Sequence, residues 1–370
     1  MTPVTNPLVA LGALGQAPWY DFITRDLVTS GELARLVRED GLLGMTSNPS
    51  IFEKAIATSA LYDADIAALA AAGRNAREIF EALAVHDVQL ACDVFRPVFE
   101  ARANGDGTVS LEVSPDLADD AAATVREAER LWTSVARPNV MIKIPGTVAA
   151  LPAITQCIAK GISVNVTLLF SADRYARVAD AYLTGLEQRV ASGADIVGIH
   201  SVASFFISRV DTKIDPQLDA MGDPLGARTQ TAIANACAAY EVFQAFLRSP
   251  RWDALEARGA NPQRPLWAST STKDPSLPDT YYVEALIAPR TVNTLPPETF
   301  AANRDHGAPK SELINRLLGA PGVFRALAES GVDFEAAVAA LEAEGVEKFV
   351  ASFRTLLAGI DAKAGALAAG

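Results

Sequence analysis

Two short runs decide how the chain reads: Val140-Met141-Ile142-Lys143-Ile144 and Ile162-Ser163-Val164-Asn165-Val166-Thr167. Each has the Val/Ile-rich composition of a buried strand and is flanked by Pro, Gly or Asn. Residues 149–160 between them read as a helix. Strand, helix, strand is the unit of a parallel sheet with helices outside it. The same alternation continues in both directions. Further strands are expected at 18–23, 42–47, 108–113, 198–204, 266–270 and 290–294, with helices at 32–39, 117–135, 172–190 and 228–247. Eight such units predict an α/β fold, a (β/α)₈ TIM barrel, whose size runs from about 250 residues to beyond 400 with insertions. At 370 residues the chain has room for two additions. One is a helical insertion at 55–103 and the other a helical tail at 310–370. No low-complexity linker sets either apart, so residues 1–370 read as one domain.

The same runs carry polar residues where strands should be apolar. Alternate strand positions share a face. Ser163, Asn165 and Thr167 therefore share one face, and Ser110 and Glu112 share another in 108–113. Outward faces of barrel strands meet helices, so these side chains should point into the barrel. Active sites lie near the strand C-terminal ends. Lys143 is the one lysine of eight embedded in a β run. A buried amine is costly without a task or a partner. Lys143 is either a structural lysine, snorkelling or paired with Glu112, or a desolvated nucleophile able to form a Schiff base. Glu112 is unusual inside a strand. Asp21 ends the first strand, where a helix cap or a surface acid is the plain alternative to a functional role. Asn48 before Pro49 reads by itself as an extended residue at a strand-to-helix turn.

Composition narrows the function classes. Half the residues are apolar and 21% charged, as in ordinary globular domains. A net charge of −12 argues against nucleic-acid binding, so any phosphorylated ligand needs a local basic cluster. Three scattered cysteines suit a reducing compartment, and the cytoplasm is the expected location. There is no basic signal-peptide start. The uncharged run 144–159 is shorter than a bilayer span and holds two prolines, so no membrane association is expected. His86, His200 and His306 lie far apart, so no His/Cys metal site is expected. No glycine-rich nucleotide fingerprint occurs.

Six stretches together resemble the transaldolase family. Gly44-Met45-Thr46-Ser47-Asn48-Pro49-Ser50-Ile51-Phe52, Val140 through Thr147, and Ile162 through Ser171 are similar to its signatures. Ser201 through Asp211, Trp267 through Lys273 and Ala288 through Pro296 resemble its longer bacterial branch. The resemblance implies a (β/α)₈ barrel, no cofactor and no metal. It also implies transfer of a dihydroxyacetone unit between phosphorylated sugars in the pentose phosphate pathway. By resemblance Lys143 is the Schiff-base lysine, and Asp21 takes the C4 hydroxyl proton. Glu112 relays protons through a water that Thr167 helps hold. Asn48 and Asn165 bind the dihydroxyacetone hydroxyls. Ser204 lies by the C1 hydroxyl and Arg209 binds phosphate. The chain departs from the short branch at Ser271, where that branch has a second phosphate arginine. Ser269 and Lys273 are expected to replace it, against the alternative that Lys273 is simply solvated beside Asp274. Two other readings compete: an aldolase releasing free dihydroxyacetone, and a non-catalytic sugar-phosphate-binding barrel. A monomer or homodimer is expected.

Overall fold

The computed structural model describes residues 6–102 and 105–369. Position 103 of the expected insertion, and positions 1–5 and 370 of the expected domain, lie outside the described residues. Eight parallel strands close into a barrel in sequence order. They are β1 Gln16–Asp21, β2 Gly44–Thr46, β3 Thr108–Glu112, β4 Val140–Pro145, β5 Val164–Leu169, β6 Ser201–Phe206, β7 Arg264–Ala268 and β8 Thr291–Leu295. β1 pairs with both β2 and β8, which closes the sheet.

The expected strands all form, with shifted ends. β1 starts at Gln16, two residues early, because its amide is absorbed internally: Nε2 donates to the Leu286 carbonyl at 2.7 Å. β1 stops before Phe22, since Thr24 already caps the next helix by accepting from the Leu27 amide. β5 starts at Val164, because the Ser163 hydroxyl accepts the His200 amide. The helix expected at 117–135 runs from Ala121 to Val135, because Asp120 caps it through the Ala123 amide.

Polar strand residues do point inward. Asn165 on β5 donates to Ser110 on β3 at 2.9 Å, and Ser204 on β6 donates to Asn165 at 2.7 Å. β3 and β5 are separated by β4, so this bond can form only through the barrel interior. Thr46 and Thr294, on strands separated by β1, meet the same way at 2.6 Å. Around these polar layers the core is apolar, with Trp19, Phe205 and Trp267 fully or nearly fully buried.

Both additions are helical. Pro49–Thr58, Asp63–Ala71 and Ala76–Ala101 fill the space between β2 and β3, starting earlier than position 55 because Asn48 caps at Pro49. The tail ends in one long helix, Phe334–Ala369, lying across the strand C-terminal ends. Lys363 anchors it by donating to the Ile56 and Ser59 carbonyls at 3.0 and 2.8 Å. Gly345 lets it approach β5, since a Cβ there would stand 3.0 Å from Leu168 Cδ2.

Gly345→Leu should therefore overpack this contact and lower stability by about 1–3 kcal/mol in denaturant titration. Gly359→Ala on the same helix faces open space and should stabilise by roughly 0.5–1 kcal/mol. Equal shifts for both would show that contact with β5 does not limit position 345.

Candidate active site

A cavity of about 460 Å³ opens at the C-terminal ends of the strands, and Asp21, Lys143, Thr167, Ser204 and Arg209 line it. The register that places the charged groups is simple. Glu112 is level with Lys143, and Lys143 with Asn165, across three adjacent strands. The Lys143 amine is 3.3 Å from Glu112 Oε2, and both side chains are about 95% buried. It also donates to the Ser47 carbonyl at 3.0 Å. The ion pair anticipated as a structural alternative thus exists, but its lysine faces the cavity. Glu112 itself borders a separate recess of about 40 Å³ and meets the cavity through Lys143.

Burial works against charge on both acids. The Glu112 carboxyl is pushed up to about 7 by burial, with Lys143 pulling the other way. Asp21 is also raised by burial, offset by Lys143, Thr46 and Arg209. Thr46 donates to Asp21 at 2.7 Å, so Thr294 supplies the proton in its own bond with Thr46. Asp21 caps no helix, since Thr24 does that. Thr167 Oγ1 is buried and makes no hydrogen bond among the described residues. The residue after it, Leu168, takes φ +61° where the register of β5 with β6 shifts. Strain of this kind collects at functional sites.

Asn48 forms the expected strand-to-helix turn and stands at the cavity. Its oxygen accepts the Ile51 amide and caps the helix, and the residue lines the cavity. Asn165 differs from expectation: it is fully buried one layer below, held by Ser110 and Ser204, and only Ser204 lines the cavity.

On the opposite wall, the Arg209 guanidinium lies 4.8 Å from the Phe206 ring centre. Ser269, with φ +56°, places its hydroxyl 3.1 Å from that of Ser208. Lys273 lines the cavity and donates to Ser271 at 2.7 Å. Asp274 does not neutralise it. That carboxylate is held near 2 by Ser276 and by Arg228, which sits 2.6 Å away.

The tail supplies residues that the sequence did not single out. The Phe349 ring centre is 5.8 Å from the Lys143 amine, and Ser352 bonds Ser50 at 2.8 Å. Lys348 and Lys54 also line the cavity. The expectation of a helical tail at 310–370 does not distinguish these positions before the helix is docked. No group of His, Cys, Asp or Glu among the described residues could hold a metal ion. No helix among them is long and apolar enough to cross a membrane.

Comparison with known proteins agrees with this architecture. Residues 18–360 match the family described as Transaldolase/Fructose-6-phosphate aldolase. The chain belongs to that family. It is 52% identical to a transaldolase of Frankia alni, with 96% of each chain covered. A transaldolase of Acidothermus cellulolyticus is 50% identical, again over 96% of each chain. One from Thermobifida fusca is 49% identical over 95% of this chain and 96% of its own.

The buried pair makes a prediction that is independent of any activity. Lys143→Met leaves Glu112 buried without its cation and should raise that carboxyl further. A raised acid favours the folded state below its unfolded pKa, and that advantage is lost as pH rises through the folded pKa. The variant should thus be near wild type at pH 5 and weaker by roughly 2–4 kcal/mol at pH 8, in denaturant titrations. Adding Glu112→Gln should restore most of the loss. A pH-independent defect would place the cost elsewhere.

Proposed function

We propose that the chain is a transaldolase using Lys143 as its covalent residue, with phosphorylated sugars as substrates. The observation carrying this reading is a buried lysine that faces a polar cavity, flanked by two acids and opposite Arg209 and Lys273. Nearly full-length likeness to transaldolases supports it.

This reading assigns the following chemistry to the site. The Lys143 amine attacks the C2 carbonyl of fructose 6-phosphate, and loss of water from the carbinolamine leaves an iminium. Glu112 is 3.3 Å from that nitrogen and titrates near 7, so it can both donate and accept the protons of this step. Beyond the ion pair with Lys143, the Glu112 oxygens have no protein partner among the described residues, nor has Thr167 Oγ1. These atoms are available to a relay water. Asp21 removes the C4 hydroxyl proton. The C3–C4 bond breaks, its electrons pass into the iminium as an enamine, and glyceraldehyde 3-phosphate departs. The enamine carbon then attacks the aldehyde of erythrose 4-phosphate, and Asp21 returns its proton to the new alkoxide. Hydrolysis of the imine frees sedoheptulose 7-phosphate. Asn48 and Ser204 hold the three-carbon unit by neutral hydrogen bonds, with Asn165 orienting Ser204 from below. Arg209, Ser269 and Lys273 bind the phosphate. The pentose phosphate pathway is the setting this reaction implies. Three buried free cysteines support a cytoplasmic location.

Borohydride in the presence of fructose 6-phosphate should trap the sugar fragment on Lys143, located by mass spectrometry, and Lys143→Ala should abolish trapping and turnover. An adduct on another lysine would refute the assignment. Adding erythrose 4-phosphate should discharge the fragment to the acceptor. Steady release of free dihydroxyacetone without acceptor would favour the aldolase reading.

The two acids should be separable. Asp21→Ala should slow cleavage by about 10²–10⁴ and still allow the adduct to form. Glu112→Gln should slow adduct formation itself by about 10². In wild type, the carboxylate form of Glu112 is lost as pH falls through 7, so adduct formation should show an inflection there that Glu112→Gln removes. A variant forming adduct at the normal rate would end the relay role.

A further inference from the structure

The cavity reverses the charge of the chain around it. Lys54, Lys143, Arg209, Lys273 and Lys348 line it, against the carboxyls of Asp21, Glu53 and Glu298, in a protein of net charge −12. Lys348 is contributed by the roof, not by the barrel. Positions 348 and 349 each lie three or four residues from 345 and from 352, so the four form one face of the terminal helix.

That face is fixed by Lys348's neighbours. Gly345 abuts Leu168, Phe349 lies over Lys143, and Ser352 bonds Ser50. The helix also ties other charges into pairs: Glu342 with Arg174 at 2.7 Å and Lys363 with Asp63 at 2.6 Å. Lys348 is exposed and takes part in no ion pair among the described residues. Lys54 stands beside Glu53 on its own helix. The face carrying Lys348 brings no carboxylate to the cavity. Glu344 and Glu347 stand close to Lys348 on the same helix, but Glu344 is paired with Lys213 and neither lines the cavity, so the ammonium at the mouth of this cationic cavity is open to an anionic ligand.

We infer that Lys348 is a phosphate-binding residue, joining Arg209 and Lys273 around the phosphomonoester of the sugar. The inference rests on the reading that the chain transfers units between sugar phosphates, and it adds the terminal helix to the substrate-recognition surface. A phosphorylated sugar would then bridge roof and barrel, while an unphosphorylated one would touch the barrel alone. Lysine suits this place, since its flexible stem carries a point charge that needs no fixed fork geometry.

The test compares wild type, Lys348→Gln and Lys348→Arg, with fructose 6-phosphate as donor and erythrose 4-phosphate or glyceraldehyde as acceptor. Lys348→Gln should lower the ratio of the two acceptors' kcat/KM values by about tenfold, the size expected of a partly exposed charge contact. Lys348→Arg should recover most of the ratio, and thermal unfolding should stay at the wild-type temperature. Inorganic phosphate binding, read by calorimetry, should weaken in Lys348→Gln and recover in Lys348→Arg. An unchanged ratio, or equal losses for both acceptors, would overturn the assignment. If wild type fails to transfer at all, the transaldolase reading falls. In that case the calorimetry alone decides Lys348, and unchanged phosphate affinity in Lys348→Gln would refute it.

Discussion

Everything at the site depends on keeping a lysine and a glutamate in ionic contact where water is scarce. Glu112 and Lys143 stand level on adjacent parallel strands, so strand register alone sets their 3.3 Å separation. Such a pair has little net stabilising value, because desolvating two charges offsets most of their attraction. Its usefulness lies in proton affinity. Burial lifts Glu112 to about 7 while Lys143 restrains the rise, which leaves a carboxyl able to give or take a proton near neutrality. Without Glu112 the Lys143 amine would lose the carboxyl in ionic contact with it. A glutamate without the lysine would be neutral through most of the working pH range.

The remainder of the molecule can be understood as the support this pair requires. The inward layer of Ser110, Asn165 and Ser204 satisfies its own hydrogen bonds, so the floor of the cavity is polar without being loose. Thr294 and Thr46 orient Asp21 on the other side of the barrel. Asn48 divides its side chain between capping a helix and facing the cavity, and so ties the local fold directly to the site. The terminal helix limits water above Lys143 with the Phe349 ring. The cost of ordering a helix of this length is met by contacts spread along it, from Gly345 against β5 to Lys363 at the insertion.

On the wall of the cavity after β7, charges are arranged around Ser271 and Lys273. Ser271 supplies no cation, and Lys273 two residues later leans on its hydroxyl. Lys273 keeps its charge available because Asp274 is drawn away by Ser276 and Arg228. In the sequence, Lys273 reads either as a phosphate contact or as a solvated lysine beside Asp274. The loop geometry after β7 sets the two side chains on different partners.

How much could be read beforehand follows from the range of the interactions involved. Strand–helix alternation is local, so the eight-unit barrel was legible from Val140–Pro145 and its repeats, while element ends shifted by up to a few residues, at Gln16, Ser163 and Asp120 through side-chain hydrogen bonds. The period of two along a strand is also local, and it was enough to send Ser110, Asn165 and Thr167 inward and to mark Lys143 as anomalous. Which residues would stand level across strands is not local, since register arises only when the barrel closes. The same holds for the depth of Asn165, which lies beneath the cavity rather than on it. Least visible was the tail. An amphipathic helix announces that one face is buried but not what lies under it. The placement of Lys348, Phe349 and Ser352 over Lys143 was decided by tertiary docking alone, through contacts with residues up to about three hundred positions distant in the chain, such as Ser50.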